Sequence, residues 1–286
     1  MSTGAAGRSR LSSRLNRLLW QVALTLGAAV WVAPIIWMLS TSLKDEGDVL
    51  SATPRWIPEQ PTLGNYHKLF VESEDFPVLR WLYNSVGVSL ATTFLVLVVT
   101  STAAFAFSRL QFRGRDGLFL LVVATMMIPA QVALIPVFLI VQKLGLFNTY
   151  AGLVVPGLAS AFGVFLLRQF FLGIPRELEE ATFLDGGGHW IAFTKIVLPL
   201  SKPALATLAI FTFIGSWNDF VWPLIVTSDI EMRTLPVGIQ IFQGRYLTEY
   251  GKTMAAATIT TVPMIIAFLI FQRRITEGIA LTGLKG

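Results

Sequence analysis

The sequence predicts an all-α, polytopic membrane protein. Only 14% of the 286 residues are charged and 54% are hydrophobic, whereas an ordinary soluble domain is about a quarter charged. The mean hydropathy is +0.65. Six apolar windows each approach the ~20 residues that a helix needs to cross a ~30 Å hydrocarbon core. Cysteine is absent, which excludes a disulfide framework, a thiolate metal site and a cysteine nucleophile. The two histidines, His67 and His189, lie far apart, so no histidine-rich metal site is expected. The net charge of +5 fits basic loops on one side of a membrane better than nucleic acid as a partner.

Residues 1–17 form a basic tail. The first window, Leu18–Leu39, is too long for the apolar region of a signal peptide and lacks a small-x-small cleavage site. It also contains Trp20, Trp31, Pro34 and Trp37, so it reads as a retained helix. With the loop Ser40–Asn84 it makes a first region, residues 18–84. That loop is acidic (Asp45, Glu46, Asp48, Glu59, Glu72, Glu74, Asp75) and broken by Pro54, Pro58 and Pro61. It suits either a solvated cap or a docking surface. The remaining windows, Ser85–Phe107, Leu118–Ile140, Ala151–Leu172, Ala204–Val226 and Ala255–Phe271, belong to a core region, residues 85–286.

Prolines fall in five of the six windows, at Pro34, Pro129 with Pro136, Pro156, Pro223 and Pro263. Each removes a backbone hydrogen bond that neighbours or water must replace. Kinked helices suit a moving bundle, and proline is also ordinarily enriched in membrane helices.

With the amino terminus inside, fourteen Lys and Arg lie in inside segments (among them Arg109, Arg113, Arg115, Arg168, Arg176, Lys195 and Lys202) and eight outside. The outside ones are spread largely over long loops, which weigh little in orientation. Both termini and the polar stretch 176–203 are therefore expected to be cytoplasmic.

That stretch is far longer than a connector needs to be. Pro175 can start a short helix, with Glu177, Glu179 and Glu180 near its positive end. Leu178, Ala181, Phe183 and Leu184 give it an apolar side for the bundle or a partner's cleft. Asp185 precedes Gly186-Gly187-Gly188, which permits a sharp turn. A second amphipathic segment from His189 leads into Leu198-Pro199. The expectation is a helix-turn-helix elbow along the cytoplasmic face.

Glu180-Ala181-Thr182, Gly186 and Ile196-Val197-Leu198-Pro199 stand at the spacings of the "EAA" loop, so the segment resembles that of ABC-importer permeases. Thr182 departs from the usual Ala, and its hydroxyl can bond the backbone of its own helix. Ser216-Trp217-Asn218-Asp219-Phe220-Val221-Trp222-Pro223-Leu224, Thr234-Leu235-Pro236-Val237-Gly238 and the tail from Phe271 to Gly286 are similar to the maltose-type carbohydrate-uptake permeases, and in particular to their second, six-helix subunit.

The resemblance implies a type I ABC-importer permease (MetI-like) fold in a bacterial or archaeal inner membrane. It implies a second homologous permease, a dimer of ATP-binding subunits and an extracytoplasmic sugar-binding protein as partners. The chain itself is then no enzyme, and ATP and Mg are held by the ATPase. Gly251-Lys252-Thr253 is not a phosphate loop, because the required upstream glycine position is Tyr246. Glu180, Ala181, Thr182, Phe183, Asp185 and Gly186 are the expected ATPase-coupling residues.

Trp217, Asn218, Asp219 and Trp222 are candidates for the substrate path. An acid within a span is costly unless it meets water or a partner; the competing reading is that Asn218 and Asp219 cap a proline-broken helix. Gln243, Gly244, Arg245 and Tyr246 are candidates for contact with the binding protein. No metal site is expected. The competing class is a stand-alone transporter driven by an ion gradient, which usually shows inverted repeats and several intramembrane charges.

Overall fold

The computed structural model describes residues 3–51, 53, 55–72, 77–245 and 249–283, with side chains described over 16–51, 53, 55–71, 77–240, 249–269 and 272. Among these residues the chain is helical throughout. In order come α1 (Thr3–Ser42), the single turns α2 (Glu46–Val49) and α3 (Gly64–His67), α4 (Val78–Arg109), α5 (Arg115–Thr125), α6 (Ala130–Lys143) and α7 (Tyr150–Val154). There follow α8 (Ala161–Leu172), α9 (Glu177–Leu184), α10 (His189–Ile191), α11 (Leu198–Leu200), α12 (Lys202–Trp217), α13 (Val221–Val226), α14 (Leu235–Arg245) and α15 (Tyr250–Gly283).

Three described helices are long and apolar enough to cross a membrane unaided: Asn16–Ser42, Val78–Arg109 and Tyr250–Leu269. Three more spans form only as bent pairs, giving up to six. Arg115–Thr125 and Ala130–Lys143 meet at 102°, Tyr150–Leu158 and Ala161–Leu172 at 46°, and His189–Leu200 and Lys202–Trp217 at 76°.

The sharpest bend has a clear cause. Pro129 has no amide hydrogen and drives Ile128 away from helical geometry. The preceding amides of Met126, Met127 and Ile128 then close short turns onto Val123, Ala124 and Thr125. The fifth window, expected as one run to Val226, instead ends its helix at Trp217 and restarts at Val221.

The chain divides into two units. In the first (residues 1–73 and 243–259), the spanning window of α1 buries none of its residues. The loop after it folds back on itself. Lys44, 3% exposed, donates to the Arg55 carbonyl and lies 4.6 Å from the Trp37 ring centre. The Asn65 amide donates to the Ser42 and Lys44 carbonyls at 3.0 and 2.7 Å. The Glu46 carboxylate accepts from the Tyr250 and Gly251 amides at 2.8 and 3.1 Å, an anion where the α15 dipole is positive.

The second unit (74–242 and 260–286) is built on α4, which packs along α8 and α12. Buried Ser85, Ser89, Thr92, Val96, Thr100, Ala104 and Ser108 recur every three or four residues and so line one helical face. Small residues let backbones approach closely in lipid. The closeness is visible at Gly163 of α8, where an added Cβ would stand 2.9 Å from the Thr100 methyl and 3.1 Å from Leu208. A cluster of Phe105, Leu167, Phe171, Phe193, Val197 and Leu208 joins α4, α8, the elbow and α12.

Candidate functional site

The elbow is organised by its glycine turn. At the end of α9 the Gly186 amide donates to the Phe183 carbonyl at 3.1 Å and the Gly187 amide to the Thr182 carbonyl at 2.9 Å. This is a Schellman cap, and Gly186 supplies the left-handed residue it needs, φ +80°. A Cβ on Gly186 would meet nothing within 4 Å, whereas one on Gly187 would stand 2.8 Å from the Thr182 carbonyl oxygen. The turn therefore needs two glycines for two reasons. The Thr182 hydroxyl donates to the Leu178 carbonyl at 3.2 Å, tying it to its own helix.

Glu180, Ala181, Phe183, Asp185 and Gly186 are exposed along the elbow, with Thr182 half-buried beside them. Leu184 is 90% exposed and Trp190 69%. Leu178 and Phe183 are also exposed, so the apolar side of α9 faces outward and does not rest on the bundle. The Phe183 ring meets His189 edge-on at 5.1 Å across the turn. Beyond it the second arm contains a π-helical stretch, Ala192–Val197, whose Phe193 packs 4.9 Å from Phe105.

Glu179 is the one buried residue of α9, and it pairs with Arg109 at 2.6 Å. This pair was not among the sequence-derived candidates. Its members are distant in the chain, and no local pattern marks them.

A cavity of about 590 Å³ lies in the second unit, lined by Thr92, Gln131, Leu153, Ser216, Asp219 and Trp222 among others. The Asp219 carboxylate accepts from the Trp222 amide at 3.3 Å, capping α13 while lining the cavity. The Trp222 indole donates to the Gly152 carbonyl at 3.0 Å, which fixes the ring against α7. The buried Thr92 hydroxyl has no hydrogen-bond partner among the described residues.

Trp217 and Asn218 lie elsewhere. Trp217 is 1% exposed and donates to the Thr260 carbonyl at 3.3 Å. Asn218 donates back to the Ile214 carbonyl of its own helix at 3.0 Å.

The segment leading to residues 243–246 is anchored on α4. Trp81 donates to the Ile230 carbonyl at 2.6 Å, and Asn84 donates to the carbonyls of Glu231 and Arg233 at 2.6 and 2.8 Å. The Ser85 hydroxyl accepts from the Leu235 amide at 2.8 Å. Gln243, Gly244 and Arg245 continue the backbone of α14, but their side chains lie outside the described residues, as does all of Tyr246.

Bent apolar spans, a largely apolar cavity with a few polar groups in its wall and an exposed elbow together define a multi-pass membrane permease. The chain belongs to the family described as "Binding-protein-dependent transport system inner membrane component", which its residues 97–280 match. It is 35% identical to the arabinooligosaccharides transport system permease protein of Halalkalibacterium halodurans, over 92% of this chain and 96% of that one. It is 36% identical to the sulfoquinovosyl glycerol transport system permease protein of Agrobacterium fabrum, over 88% of each. Among solved structures it resembles a chain of a bacterial ABC transporter involved in the import of the acidic polysaccharide alginate. There the TM-score is 0.81 at 26% identity, covering 92% of this chain and 97% of that one. The fold is thus that of an ABC-importer permease subunit.

Proposed function

We propose that this chain is one of two permease subunits of an ABC importer for a sugar (mono-, di- or oligosaccharide, or a related polyol or sugar phosphate), with its elbow and both termini in the cytoplasm. The observation that carries this reading is the composition of the elbow surface: Glu180 and Asp185 stand exposed beside outward-facing Leu178, Phe183, Leu184 and Trp190. Apolar side chains held out into water by a capped turn suit a partner's cleft. In this account the cleft belongs to an ATPase subunit, which alone binds ATP and Mg. ATP binding draws two such elbows together and turns the cavity outward. A binding protein then delivers the sugar, with residues 243–246 reaching towards it.

The carbohydrate substrates named for the relatives support the substrate class. So does the cavity, whose volume lies in the ~300–1,000 Å³ range of small-ligand sites. Its largely apolar walls include the indole of Trp222 and oxygen-bearing groups at Thr92, Gln131, Ser216 and Asp219, a combination that suits hydroxyl-rich rings.

Asp219 offers a discriminating test. Asn caps helices as well as Asp does, so Asp219→Asn preserves the cap and removes only the charge. We expect normal levels of chain in the membrane and weakened uptake. Wild-type uptake would leave Asp219 with the cap alone. At the elbow, Glu180→Ala and Asp185→Ala each remove a charge-assisted hydrogen bond of about 1.5–3 kcal/mol, so each is expected to weaken retention of the ATPase about 10- to 100-fold.

The whole reading is tested by uptake into proteoliposomes. Sugar accumulation driven by ATP without an ion gradient is the expected result. Accumulation driven by an ion gradient without ATP would favour the stand-alone transporter.

A further inference from the structure

We propose that Arg109 is a positioning residue for coupling: with Glu179 it forms a latch that fixes the first arm of the elbow to the ends of α4 and α8, so that elbow movement reaches the helices around the cavity. The proposal rests on the reading of the elbow as the ATPase-docking element.

The first arm needs such a device. α9 has eight residues, too few to hold a helix in isolation. Its apolar side chains face largely outward, with Phe183 touching His189 across the turn, and Glu179 is its one buried residue. Its buried attachment is an ion pair, Arg109 Nε to Glu179 Oε1 at 2.6 Å, whose side chains are 4% and 7% exposed.

The same guanidinium reaches further. Its Nη2 donates to the Phe171 carbonyl at 2.7 Å and the Ile174 carbonyl at 2.8 Å. These lie at and just beyond the carboxyl end of α8, where a cation is favoured. One planar group at the last residue of α4 therefore joins three segments. Removing either charge would leave the other buried and uncompensated.

The second arm is held differently, by Phe193 and Val197 in the apolar cluster beneath it. Apolar packing is non-directional, whereas the guanidinium is held in one orientation by its bonds to the Phe171 and Ile174 carbonyls and so presents its charge to Glu179 from one direction. The cluster is then the pivot and the latch sets the angle. α4 carries the motion onward, since its Thr92 lines the cavity. Lysine cannot replace Arg109, because it brings the charge without the rigid fork that serves Glu179 and two carbonyls together.

The test uses the assembled importer in proteoliposomes, with three readouts: ATPase subunits bound per permease, ATP hydrolysed, and sugar accumulated. Arg109→Lys keeps the charge. Glu179→Gln is nearly isosteric and keeps an acceptor, so at least one of the two is expected to assemble. In each variant that assembles, the latch predicts normal ATPase content and continuing hydrolysis, with uptake per ATP reduced about tenfold or more, the scale of an ordinary coupling energy.

Unchanged uptake per ATP in any variant that assembles would overturn the proposal. So would loss of the ATPase from both complexes, which would make the pair a structural tie only. Absence of an ATPase from the unaltered complex would overturn the proposal together with the reading beneath it, and the first readout separates that case from the others.

Discussion

Gly186→Asp is expected to abolish uptake while leaving the chain at its normal level in the membrane. The residue sits at φ +80°, where a non-glycine residue costs about 1–2 kcal/mol and Asp is among the better tolerated. A Cβ there meets no atom of the chain within 4 Å, so the permease itself has room for the side chain. The added carboxylate would stand beside Asp185, at the negative end of α9 and on the surface proposed to dock the ATPase. Loss of uptake in a normally inserted chain would therefore report on a partner's fit. Membrane fractionation checks the level, and sugar accumulation in cells checks the function.

Gly238→Ala is expected to do the opposite and remove the folded chain itself. Gly238 lies in α14 against the face of Trp81, and an added methyl would fall within the indole ring. Trp81 is fully buried and held by its bond to the Ile230 carbonyl, so the ring cannot step aside without losing that bond. Overpacking of this kind costs about 1–3 kcal/mol, and more where nothing yields. Low recovery of monodisperse protein in detergent, with a lowered midpoint of thermal denaturation, is the expected result. The two glycines thus separate function from folding.

The fold class was legible because hydropathy integrates over whole spans, and each crossing leaves about twenty apolar residues. Where the spans break was much less so. Pro129 sits at the 102° bend, yet Pro34 and Pro263 lie inside helices that run on through them. A proline marks a missing hydrogen bond, and the surrounding packing decides whether the helix bends there.

The helix-turn-helix backbone of the elbow was legible, because its helix start, acids and glycines are local signals. The roles of its two glycines separated only with the backbone in view, positive φ at Gly186 and close approach at Gly187. Arg109 and Glu179 were beyond reach, since an ion pair between distant elements has no local signature. For the same reason, of the four neighbouring path candidates only Asp219 and Trp222 line the cavity while Trp217 and Asn218 do not, and Thr92 and Gln131, on other stretches, carry no local mark.

The central claim is that the elbow of this permease is gripped by a separate ATPase. The most direct test is to tag the chain, express it with the products of its neighbouring genes, and purify it in detergent. The account predicts that an ATPase and a second permease are retained in stoichiometric amount, and that Gly186→Asp releases the ATPase alone. A chain that purifies by itself and still moves solute under an ion gradient would contradict it.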